Sequence, residues 1–127
     1  MATAFSWKAR LKSFVYAAQG IRTFFASEHN AWLHLAATVA AITLGFYYDI
    51  TPKEWICVAG CITLVIVAEM VNTCIEKIMN HLSPEHHENV KQIKDIAAGA
   101  VLVAAIFAAI TGCILFIPYI LHHYPFN

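Results

Sequence analysis

IAAGAVLVAAIFAAITGCILFIPYIL, residues 96 to 121, is a run of about 26 residues without Asp, Glu, Lys or Arg, longer than the roughly 20 that carry a helix across a hydrocarbon core. Only Pro118, near its end, interrupts the pattern. Upstream, HNAWLHLAATVAAITLGFYY, residues 29 to 48, is a second stretch of about 20 residues free of those four side chains. Between them, Trp55 to Ala68 is apolar for only about 14 residues, too short alone. Its helical pattern continues through MVNTCIEKI, residues 70 to 78, once Glu69 is accepted at membrane depth. The chain is therefore expected to be an all-α integral membrane protein, one domain over 1–127, with spans at about 29–48, 54–76 and 96–120.

The connections agree with this division. Thr51, Pro52 and Glu54 read as N-cap, first helical residue and N3 of a capping box, so the first two spans form a tight hairpin. Ser83 and Pro84 give a similar start signal, leaving 77–95 as a polar loop and helical stem. Lys8, Arg10, Lys12 and Arg22 precede the first span, and Lys77, Lys91 and Lys94 separate the second from the third. Only Lys53 falls on the other side, so the N-terminus and the 77–95 loop should face the cytoplasm. Tyr47, Tyr48, Trp55, Tyr119 and Tyr124 would then form an outer aromatic belt. Over 5–26, Phe14, Ala18, Ile21 and Phe25 share one helical face while Lys8, Lys12, Gln19 and Arg22 gather on another, the pattern of an amphipathic surface helix. Along the last span, Ala100, Ala104, Ala108 and Gly112 recur every four residues, a smooth stripe that lets another helix approach closely and implies a bundle or oligomer.

Composition excludes the main rivals. The 127 residues are 60% hydrophobic and 13% charged, against about a quarter charged in ordinary soluble domains, and a chain this short lacks the interior to hide so much apolar surface. Eight basic and eight acidic residues cancel, and without a basic cluster nucleic acid is not an expected partner. Cys57, Cys61, Cys74 and Cys113 all lie in apolar stretches and form no C-x-x-C pair, so they read as packing residues rather than a zinc site or disulfide framework. No cleavable leader is expected in residues 1 to 26, where Lys8, Arg10, Lys12 and Arg22 break every apolar run.

The polar residues inside this apolar frame carry the chemistry. Glu69, Asn72, Thr73 and Glu76 stand at i, i+3, i+4 and i+7, along one face of the second span. An ionisable group at that depth is expensive and needs a role or a partner. Glu69, the deeper, suits removal of a proton from a buried hydroxyl, and Glu76, nearer water, suits a divalent cation. Glu28, before the first span, and Lys94 with Asp95, before the third, reach the same cytoplasmic level. Glu28 with Glu76 could hold a nucleotide's metal while Lys94 neutralises phosphate. The plainer alternatives are that Glu69 and Asn72 merely hydrogen-bond between helices and that Lys94 snorkels at a helix end. His81, His86 and His87 match no zinc spacing; His34, one turn after Asn30, is placed to hydrogen-bond within the bundle, and His122 and His123 read as interfacial tail residues.

The pattern E-M-V-N-T-C-I-E at 69–76, followed by H-x6-K-D-x-A-A-G-A-V from His87, resembles the prokaryotic diacylglycerol kinase family, which includes undecaprenol kinases. The likeness covers nearly the whole chain. It implies a small homotrimer in the bacterial inner membrane that transfers the γ-phosphate of ATP, with Mg²⁺, to a membrane lipid alcohol. By the same resemblance Glu69 is the general base with Asn72 beside it, and Glu28 and Glu76 are the metal carboxylates. Nucleotide contacts fall to Arg10, Tyr16, Glu85, His87, Lys94 and Asp95. The family often has Asp where this chain has Asn80, and Ala where it has Cys74. The opening E-x-N-x3-H, from Glu28 through Asn30 to His34, is closer to the undecaprenol branch.

No G-x-x-x-x-G-K-[ST] loop or H-R-D motif is present, so phosphoryl transfer would be built without the usual nucleotide folds. Two other functions compete on the residues alone. A small transporter or channel subunit could use Glu69 for ion coupling, against which the polar residues cluster at one level and leave no continuous path. An assembly or anchoring protein would use the same polar residues only to fix helix register.

Overall fold

In the computed structural model, which describes residues 6–83 and 87–123, the chain runs α1 (Trp7–Ser27), α2 (His29–Tyr47), α3 (Pro52–Leu82) and α4 (Glu88–His123). Ser6 caps α1, its side chain accepting from the Ala9 amide. The helix ends where Glu28 turns extended, and that single residue also serves as the N-cap position of α2. Along α1 only Phe24 is buried. Trp7, Leu11, Phe14 and Ile21 stay exposed, at the spacing of one helical face.

The turn between α2 and α3 is specified residue by residue. Tyr48 ends the helix, Asp49 takes a left-handed conformation at φ 49°, the Ile50 amide donates to the Gly45 carbonyl and the Asp49 amide to that of Phe46. This is a Schellman termination with Asp where Gly is commonest. Ile50, next in line, is buried. The expected capping box follows: the Thr51 hydroxyl accepts from the Glu54 amide, and Glu54 Oε2 accepts from the Thr51 amide at 2.7 Å. Tyr119 of α4 donates to the same oxygen at 2.9 Å, tying the start of α3 to the end of α4.

Ile50, Val58 and Phe116 form a buried cluster at this end, wrapped by Ala41, Leu44, Tyr48, Trp55, Ile62, Leu115 and Tyr119. The aromatic residues expected to mark one interface do gather here: Tyr48 meets Tyr47 edge-on and lies 5.8 Å from Tyr119, and Trp55 packs 4.9 Å from Phe46. Tyr124 lies outside the described residues. The α3–α4 pairing is the most extensive, α2 packs on α3, and α1 meets α2 near their junction. From the small-residue stripe of α4, Ala104 is buried, whereas Ala100 remains exposed.

Two helices, α3 and α4, are long and apolar enough to cross a membrane. The third candidate, α2, has 19 residues, carries His29, Asn30 and His34 in its first turns and falls outside that pair. Most large aliphatic side chains of α2, α3 and α4 point outward, Leu33, Val39, Ile56, Val67, Leu102 and Ile114 among them. Such continuous apolar exposure fits a lipid or subunit environment rather than water.

One expectation is corrected. Within the expected loop and stem of 77–95, α3 runs on to Leu82, beyond the expected end of the second span at 76, while α4 begins at Glu88, where a helical stem was expected after Pro84. Ile75, Ile78, Met79 and Leu82 keep the helical spacing, with no Gly or Pro before Pro84 to stop it. Glu88 places an acid in the first turn of α4, which the helix dipole favours. Phe5, the expected first residue of the surface helix, and Pro84 lie outside the described residues.

Candidate functional site

The polar face of α3 meets α2 through one side-chain bond. Glu69, 5% exposed in the middle of an apolar helix, has its Oε1 2.8 Å from Nε2 of His34. Thr73, one turn on, is also buried. Asn72 donates from Nδ2 to Glu76 Oε1 at 3.3 Å, and its own Oδ1 is buried with no partner among the described residues. A buried acceptor left unmade is unfavourable by about 1–3 kcal/mol, so Oδ1 is open to a further donor, a water or an ion.

Further along α3, Lys77 reaches across to the α1–α2 junction. Its Nζ donates to Ser27 Oγ at 2.9 Å and lies 3.6 Å from Glu28 Oε1, while Ser27 Oγ donates to Glu28 Oε1 at 3.2 Å. On the α4 side Lys94 Nζ donates to Asn80 Oδ1 at 3.0 Å, and Lys91 pairs with Asp95 at 3.2 Å on an exposed face. From Glu69 to Asn80 these groups are strung over about 16 Å of helix at 1.5 Å per residue. They form a graded track from buried carboxylate to exposed ion pairs rather than one tight shell.

The structure gathers some of the residues singled out in the sequence along this track and leaves others apart from it. Glu69, Asn72 and Glu76 share the α3 face, and Glu28 is half-buried at the α1–α2 break. Lys94 is half-buried, Asp95 exposed, and Arg10 and Tyr16 lie on exposed α1. His87 is exposed just before α4. Glu85 lies outside the described residues. Glu28 and Glu76 are engaged with Lys77 and Asn72 respectively, and no group of three His, Cys, Asp or Glu side chains converges as a metal cage among the described residues.

Two contacts beside the candidate site were not legible in the sequence. Lys77 read only as a loop charge, and the structure makes it the bridge to Ser27 and Glu28. Asn80 read as a departure from a family pattern, and it holds Lys94. A helical continuation past residue 76 was the available signal for both, because i, i+4 and i+8 from Glu69 and Asn72 lead to Lys77 and Asn80.

An all-helical chain with long apolar helices, one buried carboxylate and a line of acid, amide and lysine groups leading outward defines a small membrane protein with a polar, enzyme-like site. The chain belongs to the prokaryotic diacylglycerol kinase family, whose model matches residues 15–116. It is similar to the undecaprenol kinase of Bacillus subtilis (36% identity, covering 84% of this chain and 87% of the relative). A diacylglycerol kinase of Synechocystis is 37% identical over 85% of this chain and 62% of its own length, and that of Escherichia coli K12 is 29% identical over 83% and 86%. The protein is therefore a membrane-bound lipid kinase, a phosphotransferase of a family that uses nucleotide.

Proposed function

We propose that this chain transfers the γ-phosphate of ATP to the hydroxyl of a lipid alcohol, diacylglycerol or undecaprenol, at the cytoplasmic face of a bacterial inner membrane. The observation that carries the reading is Glu69, a carboxylate buried in an apolar helix with an imidazole as its partner and no Lys or Arg against it among the described residues. A buried carboxylate with no full cation beside it is expensive to keep ionised. One left beside a neutral-capable ring is suited to accept a proton.

In this reading Glu69 takes the proton of the lipid hydroxyl. Asn72 holds Glu76 through Nδ2 and keeps Oδ1 as an acceptor in the site. Glu28 and Glu76 offer hard oxygen donors of the kind Mg²⁺ uses when it binds protein through one or two carboxylates, and the unpartnered Oδ1 of Asn72 beside Glu76 fits that donor set. Bound together, ATP and Mg²⁺ supply the phosphoryl group and offset its charge. Lys94 and Asp95 on α4, with Arg10, Tyr16, Glu85 and His87, bind the nucleotide, and Lys94 is half-buried and held by Asn80.

The assembly proposed is an amphipathic surface helix, α1, followed by three transmembrane helices, in a homotrimer. Supporting it, α1 exposes Trp7, Leu11, Phe14 and Ile21 beside Lys8, Lys12 and Arg22. Helix α2, with 19 residues, is about 28 Å long, and the outward aliphatic faces of α2, α3 and α4 provide surface for both lipid and neighbouring subunits. Basic residues gather at the Glu28–Asn80 end and only Lys53 at the other, which supports a cytoplasmic position for the track.

The relatives' names divide between the two acceptors at nearly equal identity, so the test offers both. Purified protein in mixed micelles is incubated with γ-labelled ATP, Mg²⁺ and equimolar diacylglycerol and undecaprenol. Label is expected in one lipid and to depend on the metal. Assembled protein that labels neither lipid overturns the reading.

A further inference from the structure

We propose that His34 is the positioning residue of this kinase: its Nε2–H holds Oε1 of Glu69 and thereby aims Oε2 at the lipid hydroxyl. The inference rests on Glu69 being the base. At 2.8 Å the contact has the length of a charge-assisted bond, and it joins two helices, α2 and α3, across a part-buried site where the side chains are 23% and 7% exposed. Among the described residues His34 is the hydrogen-bond partner of the Glu69 carboxylate, and Oε2 has none. A Glu carboxylate turns about three side-chain bonds and can point its free oxygen several ways. One donor from a neighbouring helix removes that choice, which is how an orienting group raises the fraction of productive geometries.

The step balances with His34 unchanged. The lipid O–H bond breaks and its proton moves to Oε2, the new lipid O–Pγ bond forms, and the bond from Pγ to the bridging oxygen of ATP breaks with its electron pair leaving on ADP. The imidazole keeps its proton on Nε2 throughout and so steadies the carboxylate before transfer and the carboxylic acid after it. The flank of the ring also lines an apolar cavity of about 300 Å³ between α2, α3 and α4, with Ala37, Thr38, Val65 and Ala108. Truncation to Ala would enlarge that cavity, so the informative variants fill the space.

The test uses the full chain in mixed micelles with γ-labelled ATP and whichever of diacylglycerol or undecaprenol it phosphorylates. His34→Leu fills the site without a donor, His34→Gln carries an amide N–H to about the Nε2 position, and His34→Asn carries one that falls short of Oε1. His34→Leu and His34→Asn are expected to lower kcat roughly 10- to 100-fold with KM for lipid and ATP within about twofold, while His34→Gln stays within about fivefold of the parent. Glu69→Gln should fall further, and adding His34→Leu to it should change nothing more. Equal kcat in His34→Gln and His34→Asn, a parental kcat in His34→Leu, or a loss confined to KM overturns the positioning role. Full activity in Glu69→Gln instead overturns the base assignment, whatever the His34 variants do. Should His34→Leu fail to assemble, the Gln and Asn pair decides.

Discussion

Glu69→Gln isolates proton removal from everything else the residue does. Gln has the shape of Glu, and its Oε1 can still accept from His34 Nε2, so the 2.8 Å link between α2 and α3 survives. Stability should move by less than about 1 kcal/mol, since the bond is kept and only its charge assistance is lost. The amide oxygen is too weak a base for an alcohol proton. A positioned general base contributes about 10²- to 10⁴-fold, equivalent to about 2.7–5.5 kcal/mol of barrier at about 1.4 kcal/mol per decade. The variant should thus unfold in micelles within a few degrees of the parent yet lose at least about 100-fold in the initial rate of label appearing in extracted lipid. Glu69→Leu provides the contrast: it strands the half-buried imidazole N–H, and stability should drop by about 1 kcal/mol as well. A Glu69→Gln rate within about threefold of the parent would refute the reasoning.

Glu28→Gln and Glu76→Gln should each raise the Mg²⁺ concentration giving half-maximal activity, read from metal titrations at saturating ATP, with the fold left intact because both carboxylates are only half-buried. Gly45→Ala would bring a methyl to 2.7 and 2.9 Å from the Trp55 ring and 3.2 Å from Ile50 Cδ1, and the overpacking should lower stability by about 1–3 kcal/mol in micelle unfolding; Trp55→Leu in the same chain should recover part of that loss. Thr51→Ala should be destabilising by about 1 kcal/mol through the lost cap, and Tyr119→Phe should lower the micelle unfolding midpoint through the lost bond to Glu54. Because the Thr51 and Tyr119 hydroxyls both donate to Glu54 Oε2, the double variant should depart from additivity. At Asp49, with φ 49°, Val should lose about 1–2 kcal/mol while Gly should not.

Much of the architecture could be read along the chain because helical order is local. The hairpin start at Thr51–Glu54, the shared α3 face of Glu69, Asn72, Thr73 and Glu76, and the apolar length of α3 and α4 all follow from spacing at 3.6 residues per turn. The end of α3 was placed too early for a definable reason: the polar residues from Lys77 to His81 resembled a loop, yet Ile78, Met79 and Leu82 maintain a helical stripe that outweighs them. The family pattern at 69–76 and 87–101 rested on residue types at fixed spacing and did not need the fold at all.

The sequence by itself determined where the apolar helices run, which face of α3 is polar and which acid lies deepest, since each depends on neighbours within two turns. Only the tertiary structure decided that Glu69 meets His34, that Lys77 crosses to Ser27 and Glu28, and that Asn80 holds Lys94. Those partners are fixed by how α2 and α4 cross α3. The crossing is set by the packing of Gly45, Ile50 and Trp55 at the turn and by the fit of α4 against α3, and no periodicity within one helix encodes it.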